Sequence, residues 1–278
     1  MITGSLVLAR RWVAPLGLAI LMGTSAGAAP KKARTYYGPP AALGQGQIRT
    51  YVTLGANQLP ASVGVEFDAD SLNDLPSAES DGRWDVVNAA GEVVWHCCGH
   101  EVELGFAPEV AGLIPFQHFV INWNPEGHPP PGVFDPPHFD FHFYNISSAQ
   151  RRSILAPTAE TACTENGFVP VTCSDFEMLT QPLPAEQQPP NHVNVGAVEP
   201  GMGNHLLNFG SAEWSGKPFT HTWIFGTMGG SLSFWEPMIT RDYLHWVQSL
   251  SPSDRSAVDP NGGAIQLAGS GAAVTVRR

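Results

Sequence analysis

The sequence predicts a mainly β protein, an antiparallel β-sandwich or barrel with a few short helices. Its 278 residues include 29 glycines and 25 prolines, which leave few uninterrupted stretches long enough for a helix. Short runs of aromatic and β-branched residues recur between Gly, Pro, Asn and Asp, a pattern typical of strands separated by turns. Only 14% of the residues are charged and 43% are hydrophobic, so we expect a packed core instead of a disordered chain.

The individual elements follow from the same patterns. Strands are predicted at residues 48–54, 62–67, 92–97, 101–106, 116–123, 138–146, 168–172, 220–225 and 231–236. Helical patterns are short, at residues 71–75, 147–155 and 240–250. The Pro-rich stretches 125–137 and 181–190 are expected to be loops, and neither coincides with a change of composition. We therefore expect one β-rich domain over residues 47–258, preceded by an N-terminal extension at 29–46 and followed by a Gly-rich C-terminal tail at 259–278.

The N-terminus has the pattern of a secretory signal peptide. Arg10 and Arg11 precede an apolar run, and residues 1–28 end in Ala-Gly-Ala. The apolar run is too short for a membrane span, and no later run is long enough. We expect a soluble protein that is secreted or periplasmic. Its formal charge of −11 disfavours nucleic acid as a partner, because a phosphate backbone attracts basic proteins.

Four cysteines in an exported chain are expected to form disulfides. Cys163 and Cys173 flank a short loop and could close it. Cys97 and Cys98 are adjacent, and an extended backbone would direct their side chains to opposite faces. Because histidines lie on both sides of this pair, the sequence leaves three alternatives open for it: a bridge, free thiols or a copper or zinc site.

The most informative run is Pro-His-Phe-Asp-Phe-His-Phe-Tyr at residues 137–144. In a strand, His138, Asp140 and His142 share one face, and the three phenylalanines share the other. Three consecutive polar positions on one face need partners if they are buried. Residues four apart are about 13 Å apart along a straight strand, so both imidazoles meet one ion only if a bulge shortens the strand. The pattern therefore favours a site that uses two of the three residues.

Further candidate ligands occur later in the chain. His205 follows a tight Gly/Pro turn, a position from which loops often present functional groups. Gly229-Gly230 predicts a two-residue hairpin turn, and counting back from it places His221 and Glu236 diagonally on one face, about 7–8 Å apart. A shift of one residue would place them on opposite faces. His128 lies in the Pro-rich loop before the His-rich strand, where it could form a rim over the site.

These residues together predict a transition-metal site, with zinc, iron, manganese or copper as the ion, because imidazole ligands suit these metals better than calcium. The predicted ligands are His138, His142, His205, His221 and Glu236. Asp140 and His128 are expected to orient an imidazole or to act as a base. Such a site would allow metal-assisted chemistry on a small molecule.

Three alternatives to the metal site remain open. The histidines could be separate hydrogen-bonding groups within aromatic strands. The chain could be a non-catalytic envelope or scaffold module that self-associates as a homo-oligomer through its His-rich strand. It could also be a sandwich that binds a carbohydrate or another ligand, because its eight tryptophans offer flat apolar faces to sugar rings.

The chain resembles an uncharacterised family of exported bacterial β-rich proteins, catalogued as a domain of unknown function. The resemblance rests on Asn-Trp-Asn-Pro at 122–125, Gly-His at 127–128, the run at 137–144, Met-Gly-Asn-His at 202–205, Thr-His-Thr at 220–222 and Glu-Pro-Met-Ile-Thr at 236–240. It implies a β-rich fold that can form oligomers, and it supplies no activity. The Cys97-Cys98 pair and the C-terminal tail depart from the family pattern.

Two better-known groups are similar only locally. Cupins also place two histidines on one strand and a third in a later Gly/Pro-containing motif, but His142 and His205 are too far apart along the chain for a simple cupin. Secreted carbonic anhydrases have an alternating His strand, and none of the strands predicted here carries the Glu-x-His that completes their site. Both groups serve as analogies for ligand geometry alone.

Overall fold

The computed structural model of the protein describes residues 32–165 and 167–251, together with the strand backbones of residues 265–266 and 272–277. The signal peptide predicted at residues 1–28 lies outside the described residues. The strands are β1 Arg34–Tyr37, β2 Ala41–Leu43, β3 Gly46–Leu54, β4 Pro60–Phe67, β5 Val86–Val87, β6 Val93–Trp95, β7 His100–Leu104, β8 His118–Asn124, β9 His138–Tyr144, β10 His192–Glu199, β11 Gly203–Asn208, β12 His221–Met228, β13 Ser231–Thr240, β14 Ile265–Gln266 and β15 Ala272–Arg277.

The helices are short, as the Gly and Pro content predicts. They are α1 Ser148–Arg152, α2 Cys173–Leu179 and α3 Arg241–Ser249, with 3-10 turns at Ala69–Leu72, Pro108–Val110, Ala185–Gln187 and Ala212–Ser215. The α helices begin after Ser147, Thr172 and Thr240, whose side-chain oxygens each accept a hydrogen bond from a backbone N–H of the first turn. Within the described part of the chain, no helix has the length and apolar character needed to cross a bilayer.

Two antiparallel sheets form the fold, which confirms the predicted β-sandwich class. The first sheet has the order β1-β3-β4-β15-β14, with β2 also paired to β3. The second sheet has seven strands in the order β10-β11-β12-β13-β9-β8-β7. A small separate sheet consists of β5 and β6. Residues 34–43, within the segment predicted as an N-terminal extension, contribute β1 and β2, and the C-terminal segment contributes β15, which pairs with β4.

The main core lies between the two large sheets. Strand β9 is paired on both edges, to β8 and β13, and all seven of its residues are buried. Phe139, Phe141 and Phe143 point from β9 towards the first sheet, where the ring of Phe67 lies 6.3 Å from that of Phe141. Because side chains alternate along a strand, the polar residues of β9 must face the other way. That second face, here called the polar face, is covered by loops and by α1.

Most predicted strands are present, and one predicted strand is absent. Residues 168–172 form no strand; they make only an isolated bridge, Cys163 to Val169. A disulfide joins Cys163 to Cys173, and Thr172 already serves as the N-cap of α2, so this segment is held as a compact loop. Strands β10 and β11 were not predicted. Strand β10 is an edge strand with exposed Val193 and Val195, and an irregularity interrupts its pairing, which obscures the alternating pattern.

The predicted register of the β12–β13 hairpin is wrong beyond its first two pairs. Met228 pairs with Ser231, as predicted, but Gly226 pairs with Phe234 because a bulge at Ser233 adds one residue to β13. Every later pair is therefore shifted, so that Ile224 lies opposite Glu236 and His221 lies opposite Ile239. The shift places His221 on the face opposite to Glu236.

Candidate metal centre

The polar face of the seven-stranded sheet positions most of the predicted ligands. Asp140 on β9 lies opposite Asn122 on β8, and Glu236 on β13 lies opposite Ile224 on β12. One strand further, His205 on β11 lies opposite Gly226, where a side chain would clash with the ring of Phe234. The missing side chain at Gly226 thus leaves room for the ring of Phe234, which packs against His142 and His205.

The cavity has a volume of about 90 Å³, which is room for several water molecules or a ligand of a few atoms. Its polar lining includes His128, Asp140, His205 and Glu236, and its apolar lining includes Phe134. The loop between β8 and β9 contributes His128, Pro129 and Phe134 to the lining of the cavity. All of these polar groups lie on or above the polar face of the sheet.

Three residues form what we call the inner cluster: His142, His205 and Glu236. His142 Nε2 lies 3.4 Å from Glu236 Oε1, and His205 Nε2 lies 3.7 Å from Glu236 Oε2. One ligand atom from each residue lies within 4.8 Å of the other two. His142 and Glu236 are almost completely buried, and His205 is 8% exposed. This arrangement of two imidazoles and one carboxylate could hold a metal ion.

A second group, the outer cluster, has the same composition. His138 Nε2 lies 3.2 Å from Asp140 Oδ1, and His128 Nε2 lies 3.5 Å from Asp140 Oδ2. His138 and Asp140 are buried, whereas the side chain of His128 is 33% exposed. The ligand atoms again lie within 4.8 Å of one another. The outer cluster could also hold a metal ion.

Backbone carbonyls determine which imidazole nitrogen carries the proton. Nδ1 of His138 lies 2.7 Å from Pro136 O, that of His205 lies 3.0 Å from Ala197 O, and that of His128 lies 2.9 Å from Pro129 O. A carbonyl oxygen can only accept, so each Nδ1 donates a proton to it. In the neutral ring, Nε2 then presents a lone pair, and in all three residues Nε2 is the atom that faces a carboxylate. Two acceptors that face each other are repelled unless a cation or a proton lies between them.

Burial disfavours the charged forms of all three residues of the inner cluster. It lowers the pKa of His142 to about 3 and the pKa of His205 to about 4, because the imidazolium form loses its hydration. Burial and the nearby negative charge of Asp140 raise the pKa of Glu236 well above its usual range. Both imidazoles are therefore available as ligands, and a bound cation would favour the ionised form of Glu236.

The outer cluster carries charge. Burial alone would raise the pKa of Asp140, but the neighbouring imidazoles of His138 and His128 outweigh burial and lower it well below its ordinary value. Burial also opposes protonation of His128, yet its contact with Asp140 raises its pKa. Asn124 Nδ2 donates a hydrogen bond of 2.7 Å to Asp140 Oδ2. Asp140 is thus an ionised carboxylate held in place by a neutral amide.

Strand geometry separates the predicted ligand set into these two clusters. Strand β9 pairs with β8 without a bulge over its whole length, from His138 to Tyr144. His138 and His142 therefore stay far apart and join different clusters. His221 joins neither cluster: its ring packs 4.7 Å from that of Tyr243, and its Nδ1 lies 3.1 Å from Thr220 Oγ1. The register shift at the β13 bulge accounts for its position.

The four cysteines lie in two pairs. Cys163 is bonded to Cys173. The sulfur atoms of Cys97 and Cys98 lie against each other, beside Glu199. The histidines beside the adjacent pair bind elsewhere, since His96 Nδ1 lies 3.0 Å from Asp85 Oδ2 and His100 Nε2 lies 2.7 Å from Ala78 O. For the adjacent pair, the bridge, the free thiols and the metal site stay predictions.

Sequence reasoning missed Glu199, which lines the cavity beside Cys98. Its Oε2 atom lies 3.3 Å from Cys97 Sγ, and burial raises its pKa to about 7. The signal for Glu199 was its place in the Glu-Pro-Gly turn before His205, since β10 and β11 pair Glu199 with Gly203 across that turn.

The fold and its clusters define a class of protein: an antiparallel β-sandwich with buried His/carboxylate groups on the polar face of one sheet. A comparison of the chain with protein-family models, with curated proteins and with solved structures finds no match. Functional inference therefore rests on the geometry of the cavity.

Proposed function

We propose that the protein is an exported metal-binding protein whose inner cluster holds a divalent transition-metal ion. The observation that carries the proposal is the convergence of Nε2 of His142, Nε2 of His205 and the carboxylate of Glu236 without a hydrogen bond between them. In the described part of the chain, Nε2 of His142 and Oε2 of Glu236 have no hydrogen-bonding partner. Buried polar atoms of this kind can be satisfied by an ordered water molecule or by a bound ion.

The spacing of these atoms fits a metal ion. Two ligands bound at about 2.0–2.1 Å to a tetrahedral ion lie roughly 3.3–3.4 Å apart. The separation of His142 Nε2 from Glu236 Oε1 is 3.4 Å, and that of His205 Nε2 from Glu236 Oε2 is 3.7 Å. A direct N···H–O hydrogen bond would require a distance of about 2.7–3.0 Å. The inner cluster is therefore spaced for an ion better than for a proton.

The ligand set selects a class of metal. Two imidazoles and one carboxylate suit zinc, iron, manganese or copper, whereas calcium prefers a shell of oxygens. Three protein ligands leave coordination positions open, and a metal ion bound there would polarise a water molecule or a small substrate. The cavity of about 90 Å³ has room for a small molecule beside such an ion.

The protein's own residues would prepare this site. The ring of Phe234 packs edge-on against both His142 and His205, with centroids 5.0 Å and 5.1 Å away, which excludes water from one side of the cluster. Asp140 and His128 line the same cavity beside the inner cluster.

Metal analysis of the full-length protein, purified without a histidine tag, tests the proposal. We expect stoichiometric zinc, iron, manganese or copper, and tight rebinding of Zn²⁺ in calorimetry after treatment with a chelator. His205→Ala should lose the inner ion. His221→Ala is the matched control, because it removes an imidazole from the other face of the same sheet. Protein that contains no metal, binds none and has the same stability in chelator would refute the proposal.

Export is the second part of the proposal, supported by the basic, apolar and Ala-Gly-Ala segments of residues 1–28. Expression of the full chain in a bacterial host, followed by N-terminal sequencing of the mature protein, tests it. We expect protein in the periplasm or the medium that begins near residue 29. An unprocessed cytoplasmic product would contradict export without affecting the metal proposal.

A second candidate function, sugar binding, is favoured by one surface feature. A shallow surface pocket is lined by Tyr243, Trp246 and Asp242 of α3, and the ring of Trp246 is 47% exposed. The two aromatic rings lie 5.2 Å apart. Aromatic faces beside a carboxylate suit a sugar ring. Glycan-array binding that is lost in Trp246→Ala would support this function, and an array without binding would exclude it.

A further inference from the structure

We infer that the outer cluster of His128, His138 and Asp140 is a second transition-metal site, so that one chain binds two ions. The inference stands on different residues from the inner cluster and does not depend on that cluster binding metal. The two clusters share no residue. Their histidines on β9 are four residues apart, about 13 Å along a strand, which is too far for both imidazoles to bind one ion.

The outer cluster, like the inner one, contains buried polar atoms without hydrogen-bonding partners. His138 is completely buried and Asp140 is 3% exposed. In the described part of the chain, His138 Nε2 and Asp140 Oδ1 lack hydrogen-bonding partners, although they face each other at 3.2 Å. The bond from His138 Nδ1 to Pro136 O directs the Nε2 lone pair at the carboxylate. A metal ion between these two atoms would satisfy both.

The third ligand is held in place before any ion binds. His128 lies in the Pro-rich loop, and its backbone N–H donates to Phe134 O at 3.2 Å. Its ring packs against the buried ring of Phe134, with centroids 5.7 Å apart, and its Nδ1 donates to Pro129 O. These contacts aim Nε2 of His128 at Asp140. A metal-binding imidazole is commonly oriented in this way by a carbonyl that accepts from its other nitrogen.

The carboxylate is also oriented. Asn124 Nδ2 donates to Asp140 Oδ2, which leaves Asp140 Oδ1 free towards His138. Such support of a ligand carboxylate by a neutral donor is typical of metal sites and tunes their affinity. Asn124 and His138 are paired residues at the two ends of the β8–β9 loop. The whole cluster therefore consists of residues of this loop and of the strand ends beside it.

A simple ion pair between His128 and Asp140 is the competing explanation. Charge-assisted N–H···O bonds are about 2.7–2.9 Å long. The His128 Nε2 to Asp140 Oδ2 distance is 3.5 Å, and the His138 contact of 3.2 Å makes no hydrogen bond. Both distances are close to the separation of roughly 3.3–3.4 Å expected for two ligands of one tetrahedral ion. The geometry thus favours a metal ion over a proton.

Zn²⁺ titration of the untagged, chelator-treated full chain tests the inference, with native mass spectrometry to count bound ions and Co²⁺ absorption spectra as a second readout. The central variant is His128→Gln. The side chain of His128 is one-third exposed, so this change should not disturb folding, and circular dichroism in chelator verifies that. The matched variant is His205→Ala, in the inner cluster.

We expect two Zn²⁺ ions in the parent protein and one tightly bound ion in each variant. The affinity of the outer site should fall in His128→Gln by more than the 10–100-fold that loss of a supporting partner costs. A parent that binds one ion, lost in His128→Gln and kept in His205→Ala, would support the outer site and refute the inner one. Unchanged stoichiometry and affinity in His128→Gln would overturn the inference, and so would a parent that binds no ion.

Discussion

Two buried polar regions lie on the same face of the seven-stranded sheet, and they differ in whether hydrogen bonds satisfy their polar atoms. In the first, which we call the arginine cluster, Arg151 meets Glu101 at 2.8 Å and 2.9 Å and Glu103 at 2.7 Å. The second region is the metal centre, which comprises the inner and outer clusters. There, imidazole nitrogens face the carboxylates of Asp140 and Glu236 at 3.2–3.7 Å.

The difference lies in the supply of donors. The terminal nitrogens of Arg151 offer donors to both carboxylates and to Gly201 O, and Arg83 contacts Glu101 from the solvent side. In the metal centre, the Nδ1 protons of His128, His138 and His205 go to backbone carbonyls, so that their Nε2 atoms face carboxylates at 3.2–3.7 Å. Burial alone therefore does not mark a functional site. A buried cluster whose polar atoms are hydrogen-bonded to one another is structural, and one whose polar atoms lack such bonds is suited to a ligand.

The largest expected effect comes from breaking the arginine cluster. Arg151→Met leaves Glu101 buried with only Arg83 as a counter-charge, and removal of one partner of a buried ion pair costs about 3–5 kcal/mol. We expect the free energy of unfolding to fall by about 3 kcal/mol, measured by urea denaturation. The loss should be the same with and without metal. A change below about 1 kcal/mol would show that this cluster is not the structural one.

Added metal should stabilise the protein through the metal centre and not through the arginine cluster. A ligand that binds only the folded state stabilises it by about 2.7 kcal/mol when its free concentration is about 100 times Kd. We expect Zn²⁺ to raise the free energy of unfolding of the chelator-treated protein by about this amount per occupied site. The Arg151→Met protein should gain as much as the parent. If Zn²⁺ stabilises the double variant His128→Gln/His205→Ala equally, the stabilisation comes from elsewhere in the chain.

The smallest expected effect is the pH response of the arginine cluster. Burial alone would raise the pKa of Glu103, but hydrogen bonds from Ser148, Arg152 and Arg151 outweigh burial and lower the pKa to about 2. A lowered pKa stabilises the folded state above the ordinary value of 4.5, and this stabilisation is lost as the pH falls from 4.5 towards 2.

We expect this loss to be roughly 1 kcal/mol, because solvent screens a partly exposed carboxylate. Urea denaturation of the parent and of Glu103→Gln at a series of pH values measures it. The difference between the two proteins should shrink on acidification. A difference that stays constant from neutral pH to about pH 3 would mean that Glu103 contributes no pH-dependent stability.

Much of the fold and of the candidate site was predictable from local sequence. The distribution of Gly and Pro predicts short strands, and the alternation in residues 137–144 predicts a strand with one aromatic and one polar face. The structure shows both. The six residues of the two clusters were all among the candidates, because His and carboxylate side chains at alternating or turn-flanking positions are rare in a core.

The division of these residues into two clusters was not predictable. It depends on which strands lie beside β9, and the partners β8 and β13 come from different parts of the chain. The exclusion of His221 depends on one extra residue, Ser233, whose bulge changes the register of β12 against β13. A bulge has no reliable local signature, since it is a compromise between packing on two faces of a sheet.

The β8–β9 loop gives the outer cluster a mechanical role. The loop leaves the sheet at Asn124 and returns at His138, and its His128 reaches back to Asp140 on the strand that follows. An ion held by these residues would join the middle of the loop to its base, as a covalent cross-link would, and divide one long loop into two shorter ones. Resistance of residues 125–137 to proteases would then depend on the concentration of metal around the protein.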